Sequence, residues 1–368
     1  MSPIRVGFVG LSARGGWAST THGPALSSLS DQYTLTAVST SSAESASETA
    51  RKFTESTGRP VKAYHGNPES IANDPNVDLV AVAIKAPDHK EAALAAINAR
   101  KNLFIEWPAG ASLDETVELA EAARKQGVRS FVGLQSRQSR TIKKVQELLH
   151  EIGLVRSTTI INTVNSEAML WGPIIHESRT WLHDPKSGSS ATTILLGHLL
   201  DGLTCTLGDF EYVSATAEIM YPVAKVVRGN RAQGVEDSGR TVQPSSPDHV
   251  AVTGKLKSGA IATAILRTGL KAREGGRKFL WEIDGEDGSI RVEGPSSFAL
   301  SDCHVCLNGK LVQEPQEGAL AKTTTSVWTE FAKGEEGDYS TLDDAIKVHR
   351  LTESIKESAT EGRRVYVQ

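Results

Sequence analysis

The residues whose types and spacing could move a proton or hold a charged ligand are few in this chain. In residues 194–203, otherwise apolar, the only ionisable side chains are His198 and Asp201. At i, i+3 they share one face of a helix. A histidine and an aspartate in such surroundings need partners or a solvated cavity. Either His198 faces a ligand and exchanges a proton, or it is a buried histidine satisfied by Asp201 or by backbone. Lys85 directly follows the apolar run 77–84. Its ammonium either points to solvent, answers a cofactor phosphate or, desolvated in an apolar pocket, donates a proton near neutral pH. Residues 171–184 gather aromatic and ionisable groups, among them His176 and Trp181. That composition suits the wall of a small-molecule site, and equally a surface loop anchored by tryptophans. Cys303-His304-Val305-Cys306 resembles half of a zinc site, but no second ligand pair accompanies it and no metal is expected.

A second chemical signal opens the chain. Residues 4–9 are an apolar, β-branched run that enters a glycine-punctuated turn ending at Trp17. Against G-x-G-x-x-G, Gly10, Ser12 and Gly15 occupy the glycine positions, and Ser12 breaks the middle one. Such a turn brings backbone N–H groups to a pyrophosphate at a helix N-terminus, but alone it is equally an ordinary strand-to-helix turn. Gly10, Ser12, Ala13, Arg14, Gly16 and Trp17 are its candidate cofactor contacts. The next strand, 33–38, runs into Ser39, Thr40, Ser41 and Ser42. An NAD-preferring site places a carboxylate there for the ribose 2′-OH. None occurs before Glu44, and Arg14 could supply charge for a 2′-phosphate, so NADP is the expected cofactor. The bland alternative is a serine-rich start to the next helix.

These residues need elements to position them. Apolar runs at 33–38, 77–84, 102–106 and 130–134 alternate with helical stretches at 43–56, 87–99 and 113–126. That alternation predicts a doubly wound parallel sheet, whose ligands bind at the carboxyl ends of the strands. Ser39, Lys85, Glu106 and Gln135 fall at or beside such ends. Residues 156–164 read as the first strand of a second domain, and beyond Gly208 consecutive strands without helices predict an α+β domain with a large, mostly antiparallel open sheet. The expected division is a Rossmann domain at 1–135 and an α+β substrate-binding and oligomerisation domain at 136–368, with a C-terminal helix able to pack back on the first. The polar stretch 222–247, with Arg228, Arg231 and Arg240, reads as a loop.

Composition bounds the rest. The chain has 368 residues, 39% hydrophobic and 23% charged, with net charge −4. That balance offers no basic field for nucleic acid, and no apolar run approaches the roughly 20 residues of a membrane span. Three cysteines argue against a disulfide framework. The first strand is read from the fourth residue on, and no secretory signal is expected. A reducing, cytoplasmic setting is expected.

Taken together, the glycine turn, residues 83–89, Glu106-Trp107-Pro108 and the tail 361–365 resemble the Gfo/Idh/MocA family of NAD(P)-dependent oxidoreductases. Gly10-Leu11-Ser12-Ala13 with Gly16-Trp17, Thr21-His22 with Pro24-Ala25, residues 134–137, residues 197–201 and Pro247-Asp248-His249 are similar to the branch of the fungal galactose-regulon repressor and its enzyme-like relatives. The resemblance implies hydride transfer to or from a small polar substrate, a sugar-like hydroxyl or carbonyl or an imine, in a homodimer or higher homo-oligomer formed through the open sheet. The strand-end places of Glu106 and Gln135, with Trp107 beside them, add these residues to the cofactor contacts. Trp107, then His176 and Trp181 of the aromatic stretch, and His198, which the resemblance favours as cofactor-facing, are the candidates around the substrate. Where the family carries Glu-Lys-Pro, this chain has Trp107 in place of the lysine. Where the family has an aspartate four residues before its catalytic histidine, this chain has Ile194. His198 alone of that trio remains, with Lys85 as a stand-in for the lysine. The alternative is a non-catalytic, nuclear NADP-binding regulator that binds an activator protein.

Overall fold

In the computed structural model, residues 2–230, 234–272, 279–295, 300 and 302–368 are described; Arg231 lies outside them. The chain divides into two compact units, one of residues 1–138 with 318–347, the other of 139–317 with 348–368.

The first unit is built on strands that alternate with helices. The strands are β1 (Ile4–Val9), β2 (Tyr33–Thr40), β3 (Lys62–His65), β4 (Leu79–Val82), β5 (Asn102–Ile105) and β6 (Ser130–Val132). They form one sheet in the order β3-β2-β1-β4-β5-β6, every neighbouring pair parallel. β4 is buried at every position, as a central parallel strand covered on both faces must be. The helices are α1 (Trp17–Thr20), α2 (His22–Ser28), α3 (Ala43–Thr57), α4 (Glu69–Ala72), α5 (His89–Asn98) and α6 (Leu113–Gln126). Ser42 caps α3 by accepting from the Ser45 N–H, and Ser112 caps α6 from the Glu115 N–H. This is the doubly wound sheet that the alternation predicts, and its strand order reverses direction between β1 and β4.

The second unit opens with α7 (Arg140–Leu148), which buries Thr141, Ile142, Val145 and Leu148. Its strands are β7 (Val155–Asn165), β8 (Ile174–His176), β9 (Phe210–Glu218), β10 (Ala224–Asn230), β11 (Gly234–Val242), β12 (His249–Leu256), β13 (Ile261–Leu270), β14 (Phe279–Gly285), β15 (Ser289–Gly294), β16 (His304–Leu307), β17 (Lys310–Gln313) and β18 (Val365–Tyr366). Nine of them form one sheet, β17-β16-β15-β14-β7-β13-β12-β9-β18, in which only β7 and β13 pair in parallel. The large, mostly antiparallel sheet is thus as expected. Helix α8 (Gly197–Leu207), entered through a π-helical turn at Thr192–Leu196, buries Leu199, Leu200 and Leu203.

One expectation is corrected. Most of the stretch 222–247 is not a loop: β10 and β11 pair antiparallel, and β10 pairs with β8 in parallel. Ala224, Val226 and Val227 are buried, whereas β11 is exposed along most of its length. Charged outward residues (Lys225, Arg228, Glu236, Asp237, Arg240) mask the strand pattern. A helix that the sequence reading did not assign, α9 (Ala319–Ala332), belongs to the first unit, and α10 (Leu342–Glu361) leads from the first unit into the second.

Candidate functional site

The turn after β1 starts at Gly10, with φ of 98°. A Cβ here would lie 2.2 Å from the Ala83 carbonyl oxygen, so only glycine lets the chain pass this close to the end of β4. The turn is tied to β2 and α3 as well as to itself. The Gly10 N–H donates to the Ser39 carbonyl (2.9 Å), that of Ala13 to Thr49 Oγ1 (2.9 Å) and that of Arg14 to Ser12 Oγ (3.2 Å). The helix beyond it breaks at Thr21, because Pro24 has no N–H to give the Thr20 carbonyl. No long helix dipole therefore backs this turn.

A cleft of about 580 Å³ opens at the carboxyl ends of β1, β2 and β4. Gly10, Ser12, Ser39, Thr40, Ser41 and Lys85 line it together, as their places in the sequence predict. Asp88 and Glu91 also line it, and sequence reasoning did not single them out. Arg14 stands exposed and is engaged by two carboxylates, its Nη2 2.8 Å from Glu44 and its Nε 2.8 Å from Glu48. These hydrogen bonds hold its guanidinium still more firmly protonated.

A second group of predicted residues lies at the end of β5. Glu106 is 8% exposed. Its Oε1 accepts from the Trp17 indole Nε1–H at 2.6 Å and lies 2.6 Å from His22 Nε2. Its Oε2 accepts from the Trp107 N–H at 3.3 Å. On the far side of His22, the Trp328 indole donates to Nδ1 at 3.0 Å. His22 and Trp328 are the members that residue-by-residue reading missed; His22 appears there only within a family motif. Trp107 is buried and precedes Pro108 through a cis bond. Gln135 is buried in the 3-10 turn Gln135–Gln138 after β6. Buried His89 has Nδ1 2.9 Å from the Pro108 carbonyl and Nε2 3.1 Å from that of Ile84, and burial pushes its pKa down.

In the second unit, Ile194 and His198 are the only residues of 191–203 that are partly exposed; Asp201 is fully buried. One helical turn apart, they share a face. His176, at the end of β8, uses both ring nitrogens locally: Nδ1 accepts from the Ser178 N–H (3.2 Å) and Nε2 donates to the Gly229 carbonyl (2.9 Å). Trp181 is half-buried in the 3-10 turn Glu177–His183. Cys303 is a buried thiol whose pKa burial pushes up to about 12. Among the described residues no three His, Cys, Asp or Glu side chains are arranged to hold a metal, and no helix is long and apolar enough to cross a membrane.

Comparison with known proteins adds to this geometry. Residues 4–134 match the model of the oxidoreductase family with the NAD-binding Rossmann fold, and residues 141–294 match that of the Gal80p C-terminal domain. The chain is 31% identical to the dehydrogenase aclE of Aspergillus oryzae, over 98% of this chain and 97% of that protein. It is 28% identical to the galactose/lactose metabolism regulatory protein GAL80 of Saccharomyces cerevisiae, over 81% of this chain and 68% of that one. In fold it is similar to the crystal structure of a super-repressor mutant of Gal80p from Saccharomyces cerevisiae, with TM-score 0.86, 24% identity, and 99% and 98% of the two chains covered. A levoglucosan dehydrogenase solved with NADH and L-sorbose gives TM-score 0.80 at 20% identity, covering both chains fully.

Proposed function

The chain belongs to the oxidoreductase family with the NAD-binding Rossmann fold, and from that premise we propose that it is an NADP(H)-dependent oxidoreductase acting on a small polar substrate. The observation that carries this reading is the cleft at the ends of β1, β2 and β4, with hydroxyls in place of a carboxylate at the end of β2. The residues present fit a dinucleotide: Gly10 keeps the turn low, Ser12, Thr40 and Ser41 offer donors, and Lys85 places an ammonium on the rim. Arg14 supports a 2′-phosphate because its pairs with Glu44 and Glu48 are exposed, and exposed pairs yield readily to a stronger anion.

The cofactor, when bound, supplies or accepts the hydride. A proton must move at the substrate oxygen or nitrogen as well. We assign that exchange to His198, with Lys85 as the second candidate. The buried apolar ring of Trp107 backs the site, and Trp17, Glu106 and Gln135 hold its nicotinamide end. Trp181 and His176 belong to the substrate wall, His176 through its hold on the β10 backbone. The open nine-stranded sheet of the second unit suits self-association as a homodimer. The expected setting is the cytoplasm.

A second reading is favoured by Trp107 in place of the family's lysine and by the match to the Gal80p C-terminal domain. It makes the protein a nuclear, NADP-binding regulator that binds an activator protein. One experiment separates the two: titrate the protein with NADP and NAD, then follow NADPH absorbance with aldoses, keto-sugars and cyclic imines. Tighter binding of NADP with turnover supports the enzyme. Tight NADP binding with no turnover supports the regulator, and tighter binding of NAD overturns the cofactor assignment.

A further inference from the structure

The Trp17, Glu106, His22 and Trp328 cluster has a protonation state that its own chemistry dictates. An indole N–H can only donate. Trp328 therefore requires an unprotonated Nδ1 on His22, so the ring's single proton sits on Nε2 and points at Glu106. Trp17 and the Trp107 backbone also donate to Glu106. Each of these three N–H donors favours the ionised, acceptor-only form of Glu106. The site is built closely around that charge. A Cβ on Gly133 would lie 2.1 Å from Glu106 Oε2, and the Glu106 N–H donates to the Val82 carbonyl at 3.0 Å, fixing the residue at the carboxyl edge of β5.

This placement matters for a dinucleotide. In a sheet ordered β3-β2-β1-β4-β5-β6, the half that ends in Ser39–Ser41 takes the adenosine ribose, and the other nucleotide lies over the ends of β4 to β6. The nicotinamide ring is a cation when oxidised and neutral when reduced. We propose that Glu106 is a fixed, buried negative charge that makes this protein bind the oxidised nicotinamide dinucleotide more tightly than the reduced one, with His22 and Trp328 as the positioning residues that keep it charged. The inference rests on the dinucleotide reading above. It gives that site a redox preference, and under either function it biases the cofactor state that the protein carries.

The test is calorimetric titration of the full chain with NADP+, NADPH, NAD+ and NADH. The oxidised member of the preferred pair should bind about tenfold more tightly than the reduced one, the size of a typical coupling between a fixed charge and a bound one. Glu106→Gln keeps the shape and removes the charge. It should bring that ratio close to one by weakening the oxidised form while leaving the reduced form nearly unchanged. Equal or reduced-favouring affinities in the natural protein, or an unchanged ratio in a folded Glu106→Gln, overturn the proposal. Should that variant not fold, long-range 1H–15N correlation of the natural protein at pH 7 decides: His22 protonated on Nε2 alone supports the proposal, and a proton on Nδ1 overturns it. Binding of none of the four nucleotides would overturn the dinucleotide reading and this proposal with it, whereas binding without redox preference overturns this proposal alone.

Discussion

His198 is the residue on which the enzymatic reading turns. Ile194, in the place of the family's aspartate, can neither orient nor charge it, yet the pair shares the one partly exposed face of the buried segment 191–203. His198→Ala should lower turnover by at least about a hundredfold, the usual share of a positioned proton donor or acceptor, while NADP affinity by titration changes by less than about threefold. Retained turnover would take the proton exchange away from His198. The strand-end residues of the candidate site were readable because position at the end of a parallel strand is a matter of pattern. Partnerships were not. Glu106 meets His22 from 84 positions away, and His22 meets Trp328 across 306. Arg14 was readable as a cation in the turn, but its engagement by Glu44 and Glu48 depends on how α3 approaches that turn. His176 looked like a ligand-facing group by type, and only the β10 backbone shows that both of its nitrogens are used.

At the scale of elements, the parallel strands announced themselves because burial on both faces leaves unbroken apolar runs. α9 did not. Thr323, Thr324 and Thr325 are weak helix formers, and Thr324 and Thr325 turn their hydroxyls back onto the Leu320 and Ala321 carbonyls. The helix exists because its Trp328 and Phe331 are fully buried against the first unit's aromatic core. Phe331 stacks on Phe131 with ring centroids 4.2 Å apart, Trp328 packs on Phe104 at 5.2 Å, and Tyr33 donates its hydroxyl to the Trp328 carbonyl at 2.7 Å. A segment near the end of the chain thereby completes a domain begun at its start. Phe331→Ala should cost about 3–5 kcal/mol, read as a lowered midpoint of urea unfolding, since a ring this enclosed leaves a cavity. A loss below about 1 kcal/mol would show that α9 is dispensable to that core. The same logic explains why β10 and β11 were hidden: their polar residues face outward, and the few apolar ones are too scattered to declare a strand.

At the scale of the whole molecule, both units carry histidines whose pKa burial pushes down. His89 lies in the first unit, and His183 and His349 lie in the second. The pKa of His349 is pushed down to about 4, chiefly by burial and further by Lys356. In the unfolded chain a histidine titrates near 6.5. Between those values the unfolded state binds a proton that the folded state refuses, so stability is full above about pH 6.5 and is lost as the pH falls toward 4. For His349 the loss across that window amounts to roughly 3 kcal/mol at most. The carboxylates act in a separate range. Burial pushes Asp344 up, but Arg137 and Thr341 outweigh it, and Asp78 is held low first by its hydrogen bond from Arg5; their contributions disappear only as the pH falls through and below the ordinary carboxylate range. Urea unfolding followed from pH 7.5 to 4 should therefore show stability falling well before Asp344 or Asp78 takes up a proton. His349→Gln should flatten that fall by about the uptake of one proton, leaving the part owed to His89 and His183. A profile that stays level down to pH 4.5, or an unchanged slope in the variant, would mean that these rings take up their protons without unfolding either unit.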